Sequence, residues 1–178
     1  MVNSDTEQTN KLKELCDFYD KNSGCIKSDL FSDKAEEVVK DFLKPSEIIK
    51  IPQKKSYTTK KQGKNKDEEK EVDNSRTQIR RFYNEVLSIK NLIDLKDDET
   101  PTDKFKIQIP YIKMLIAKAK YAQKRNPPTV TTNFVKFIKY CLEGVKLEDI
   151  DKSLKHFNIF VSFFEAVIAY SVVHIEKQ

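Results

Sequence analysis

From Ser153 to His174 the chain reads SLKHFNIFVSFFEAVIAYSVVH, and this segment limits the possible folds more than any other. At about 100° per residue, Phe157, Phe160, Val161, Phe164, Ile168 and Ser171 fall on one side of a helix. Ile159, Phe163, Ala166, Tyr170 and Val173 fall on the opposite side. A helix apolar on two sides must be covered on two sides, and only a narrow strip of Asn158, Ser162, Glu165 and Ala169 separates them. The segment is therefore expected to be the central helix of a bundle. A membrane span is the weaker reading, because Glu165 stands mid-run and the apolar part falls short of the roughly 20 residues a bilayer core needs.

A length of 178 residues suits one domain. With only 3 Gly and no Trp, strand-and-turn architectures and glycine-rich phosphate loops are disfavoured, so the expected class is all-α: a compact bundle of five to six helices. Lys and Arg total 33 against 28 Asp and Glu, a net charge of +5 that suits a polyanionic partner without establishing one. Cys16, Cys25 and Cys141 share no C-x-x-C spacing and are remote in sequence from the two histidines, so no metal or other cofactor is expected, and the scattered cysteines fit a reducing compartment. The opening MVNSDTEQTNK lacks the apolar core of a signal peptide; a cytoplasmic, non-membrane protein is expected.

Along the chain, Leu12, Leu15, Cys16 and Tyr19 predict a short helix over 11–19 within an N-terminal extension, 1–31. Ser32 or Asp33 caps a second helix, with Ala35, Val38, Val39, Phe42 and Leu43 inward and Pro45 at its end. Residues 52–75 are almost all polar or charged, basic then acidic, and read as a mobile insertion in the single domain; its lysines, Lys54, Lys55, Lys60, Lys61 and Lys64, belong to a solvated linker or brush nucleic acid. Ser75 or Thr77 caps a helix with Ile79, Phe82, Tyr83, Val86, Ile89 and Ile93 inward, and 96–101 is a loop. The next helix is expected from Ile109 or Pro110 to Arg125. Thr131 or Thr132 caps another, burying Phe134, Val135, Ile138, Cys141, Leu142 and Val145, and the acidic run 148–151 leads into the central helix.

Motifs for chemistry are scarce. Neither histidine has the Glu three residues before it that helical di-metal sites use. No arginine precedes either at the Arg-x(4–6)-His spacing of helical ribonucleases; Lys152 is the nearest imitation. Phosphate cradle, nucleophile elbow and H-E-x-x-H are all missing, and the carboxylates at 94–99 read as a solvated turn. Glu165 is expected to pair with an arginine or lysine of a neighbouring helix, as structure rather than catalysis. What remains is basic. Arg76, Arg80 and Arg81 gather at a helix N-terminus, where free N–H groups favour phosphate and Thr77 and Gln78 add donors. On the following helix Lys113, Lys120 and Lys124 line one flank, and Lys118, Tyr121 and Arg125 the other.

Three stretches, TQIRRFYNEV at 77–86, KAKYAQKR at 118–125 and FFEAVIAY at 163–170, resemble in order and spacing the small helical subunit of type III-A CRISPR effector complexes, the Csm family's small subunit; Ala35 to Val39 resembles that family's early helix. The resemblance implies a subunit without catalytic activity. It implies copies stacked in a filament beside the backbone and large subunits of an antiviral ribonucleoprotein complex, touching phosphates of guide RNA and target RNA without reading sequence. Carried over, it makes Thr77, Arg80, Arg81, Lys118 and Arg125 the first contacts, with Arg76, Lys113 and Lys124 added on charge and wheel position. Tyr121 is expected to pack rather than stack on a base. The alternatives are a small helical DNA-binding or regulatory protein, which would use a recognition helix and two-fold symmetry, and a helical nuclease, which would cleave RNA with metal or histidine.

Overall fold

The computed structural model describes residues 3–51, 68–96 and 98–175. Among them the chain forms α1 (Asn3–Leu15), a helical stretch α2 over 30–43, strands β1 (Glu47–Ile51) and β2 (Glu68–Val72), then α3 (Arg76–Asp94), α4 (Pro101–Lys124), α5 (Thr132–Cys141) and α6 (Ile150–His174). The protein is mostly helical, in accord with the expectation, with one small antiparallel sheet added.

α1 begins earlier and stops sooner than its apolar spacing predicted. Leu12, Leu15 and Cys16 are buried as expected, but the chain then leaves the helix so that Phe18 can reach α6. The carboxylate of Asp20 organises the exit, accepting from the backbone N–H groups of Asn22 and Ser23 and from the Ser23 hydroxyl. Those hydrogen bonds hold its pKa below the usual carboxylate value. Gly24 follows at φ +67°, a conformation that favours glycine.

α2 starts at Leu30, ahead of the expected Ser32 or Asp33, and alternates wide and ordinary turns: π over Leu30–Lys34, α over Ala35–Val38, π over Val39–Leu43. All five residues expected to face inward are buried.

Residues 52–67 of the expected insertion lie outside the described residues. Its last part is not irregular, because Glu68–Val72 pairs antiparallel with Glu47–Ile51, from Glu47 opposite Val72 to Ile51 opposite Glu68. The base of this pair is tied to α5. The Glu47 carboxylate accepts from the N–H groups of Thr132 and Asn133 at 2.7 and 2.8 Å. Asn74, almost fully buried, donates to the Leu43 carbonyl and the Thr131 hydroxyl and accepts from the Thr131 N–H.

Ser75 caps α3, accepting from Gln78 N–H, and Thr131 caps α5, accepting from Phe134 N–H; each was one of two expected choices. α4 starts at Pro101, eight residues before the expected Ile109. Thr100 caps it by accepting from Asp103 N–H, and the extra turns bury Phe105. Pro110 therefore sits inside α4, where its missing N–H removes one backbone hydrogen bond on the exposed side.

α6 is the helix the others surround. Its first face is wholly buried; on the second, Phe163 is buried, Ile159, Ala166 and Tyr170 are half-buried, and Val173 stays 74% exposed. Phe134, Phe137, Phe160, Phe163 and Phe164 form a chain of ring contacts through the core. Contrary to expectation, α6 is long and apolar enough to cross a membrane by length and composition; here ten of its residues are buried within the fold. Among the described residues Glu165 finds no cation either. It is exposed and accepts from the Tyr83 hydroxyl, whose pKa rises through burial first and this carboxylate second.

Cys16 and Cys141 are free, buried and hydrogen-bonded to each other, and burial pushes the Cys141 thiol well up; Cys25 is exposed.

Candidate nucleic-acid interface

Helical spacing places Arg76, Thr77, Arg80, Arg81 and Asn84 on the side of α3 away from its buried stripe, recurring in steps of three and four. In the fold they line one groove of about 490 Å³ whose other wall is the end of α6: Ile168, Ser171 and Val172. The N-terminus of α3, with its unpaired N–H groups, thus meets the C-terminus of α6. Arg76 bridges the two. Its Nη1 donates to the Val172 carbonyl at 3.4 Å, where the helix end carries partial negative charge, while its Nε is buried without a partner among the described residues. Arg80 and Arg81 are exposed and form no ion pair among the described residues. Four cations and donors that sequence grouped are therefore together, and two keep their guanidinium groups available.

α3 and α4 pack antiparallel, and the Lys118 ammonium meets the Glu85 carboxylate at 3.0 Å across them. At the other end Lys104 donates to the Leu95 carbonyl, so the two contacts run in opposite chain directions along the pair. Lys118 and Glu85 are each close to half exposed, so their pair contributes only about 0–1 kcal/mol and a phosphate can compete for the lysine. Arg125 follows the last turn of α4; its Nε donates to the Pro127 carbonyl at 3.1 Å, and its terminal amino groups have no partner among the described residues. Lys124 is exposed on a different side of α4 from Lys118.

Lys113 does not join them. Its ammonium donates to the Leu142 carbonyl at the end of α5, and burial holds its pKa down, opposed by Glu148 and Glu143. It serves the α4–α5 packing.

Tyr121 departs from expectation in the other direction. Rather than packing, the residue is 73% exposed, between Lys118 and Arg125 in sequence. The sequence held no signal for this, because Ala119 and Ala122 beside it do face inward and which flank is left uncovered depends on how α3 lies.

The histidines are elsewhere. His156 is buried, stacked on Phe18 at 4.7 Å, with Nε2 2.9 Å from the Cys141 carbonyl oxygen; His174 lies 2.7 Å from Glu36. Among the described residues no three His, Cys, Asp or Glu side chains converge as a metal site would require. The groove can offer positive charge, hydroxyl and amide donors, and an exposed ring.

A family model described as Csm2 Type III-A matches residues 52–176, which include α3 to α6 and every cation named above. α1, α2 and β1 lie before the match. No curated protein and no solved structure matches the chain.

Proposed function

The chain belongs to the Csm2 family, the small subunits of type III-A CRISPR complexes, and on that premise we propose that it is a non-catalytic, RNA-binding subunit that holds guide and target RNA by their phosphates. Arg80, Arg81 and Thr77 are the primary contacts, joined across the α3–α4 pair by Lys118 and Arg125, with Arg76 and Lys124 at the margins. The observation that carries this reading is the pair Arg80 and Arg81, exposed, free of ion pairs among the described residues and set in the second turn of α3, one turn from its N-terminus.

Phosphate contact without base readout suits such a subunit, because a complex whose sequence choice lies in guide–target pairing needs its scaffold to tolerate every sequence. Other partners in this reading are the backbone and large subunits, and further copies of the chain stacked alongside. Affinity of one isolated copy is weak and rises when copies line up along one RNA. The setting is cytoplasmic.

The test is a salt titration with unrelated single-stranded RNAs. Affinity should be alike for all of them and fall linearly on a log–log plot, by about 0.7 per phosphate contacted. Base preference that follows an Arg80 or Arg81 substitution, or affinity indifferent to salt, would overturn the reading.

A further inference from the structure

We propose that Tyr121 is a stacking platform for a nucleobase, so that this surface holds RNA by a base face as well as by phosphates. The proposal rests on the RNA-binding reading above and adds to it a contact of different physical kind. Tyr121 is the most exposed large aromatic side chain among the described residues, at 73%. A lone exposed ring is ordinary on a protein surface. This one is placed otherwise. Lys118 precedes it by three residues and Arg125 follows by four, which puts all three on one side of α4. The two cations are separated by about 10 Å along the helix axis, room for one base between two contacted phosphates.

Every base has a π-face, so stacking strengthens binding while staying tolerant of sequence. That matches what a scaffold for arbitrary guides requires. A competing occupant is another protein, since Ile107, Tyr111 and Met114 continue an exposed apolar line down α4 from the ring. Those residues border a separate groove with Leu92 and Ile89, whereas Tyr121 stands beyond Lys118 at the cationic end.

The experiment uses the full chain, single-stranded RNA, and an abasic oligomer of equal length. Tyr121→Ala should weaken RNA binding roughly 5- to 100-fold, leave the salt slope unchanged and leave abasic binding as in the parent, while Tyr121→Phe binds like the parent. Because the chain contains no tryptophan, Tyr121→Trp provides a single indole, excited apart from the tyrosines at long wavelength, that RNA should quench at saturation and the abasic oligomer should not. Equal losses for RNA and abasic oligomer, or an indole that stays unquenched in the RNA-bound Tyr121→Trp protein, overturn the proposal while salt-dependent binding keeps the phosphate reading standing. A Tyr121→Ala protein that binds RNA normally but changes its self-association assigns the ring to a protein contact and also overturns it. Loss of salt-dependent binding in the parent removes both readings together.

Discussion

Gly144 lies against the imidazole of His156 so closely that a Cβ on the glycine would stand 2.5 Å from the ring. The ring has nowhere to go, stacked on Phe18 and hydrogen-bonded to the Cys141 carbonyl. Gly144→Ala should therefore destabilise the protein by about 1–3 kcal/mol, the usual range for overpacking, read as a lower denaturant midpoint with an unchanged slope. An unaltered midpoint would mean that the α5–α6 connection yields more readily than this contact implies.

The same histidine makes stability depend on pH. Burial, the largest cause, lowers its pKa below the ordinary 6.5, and the Cys141 carbonyl only partly offsets that. The unfolded chain then binds the proton more readily than the folded one. His156 has no cost above the ordinary value, and stability falls as pH drops below about 6.5 toward the folded-state pKa. Melting temperatures at pH 7.5 and 5.5 should differ more for the parent than for His156→Gln; an equal difference would place the acid sensitivity elsewhere.

Asn74→Ala leaves the Thr131 N–H and the Leu43 carbonyl buried without their partner. Stability should fall by about 1–3 kcal/mol, since an unpaired buried group costs more than the bond was worth. Glu47→Gln should cost less, about 0.5–1.5 kcal/mol, because its one amide oxygen still accepts from the N–H of Thr132 or Asn133, while the charge and the second hydrogen bond are lost at a site only part-buried. Thermal melts of the two proteins should rank in that order.

Arg80→Ala and Arg81→Ala, in contrast, should leave stability within about 0.5 kcal/mol, as both side chains are exposed and free of ion pairs among the described residues. Each should reduce the salt slope for single-stranded RNA by about 0.7. Lys113→Ala is the control: with its ammonium on the Leu142 carbonyl, its loss should alter melting and spare RNA affinity.

Local signals were readable from the sequence where the physics is local. The Ser75 and Thr131 caps and the buried stripe of α3 follow from side-chain chemistry and a 3.6-residue period, and the fold has them. α4 was read too short because Pro110 mimics a helix start, while the true start, Thr100 with Pro101, stood in a stretch that looked like loop. β2 was invisible: EEKEV has no alternation, and only its partner EIIKI, across the insertion, makes it a strand. In the candidate site, Arg80 and Arg81 came from their own helix position. Glu165 and Tyr121 depart from expectation because their surroundings are set by α3 and by the absence of a neighbour, and the Leu142 carbonyl that Lys113 meets is brought by α5; one helix encodes none of these.

The segment that ends in Phe18 has a practical consequence. Phe18 seats on His156 and meets Phe163 edge-on, and α2 lies along α6 as well, yet all of this precedes residue 52, where the family resemblance begins. A fragment cut at that boundary would carry an unroofed, greasy flank on α6 and should clump on purification, so the homologous portion depends on its less familiar preface to stay dispersed in water.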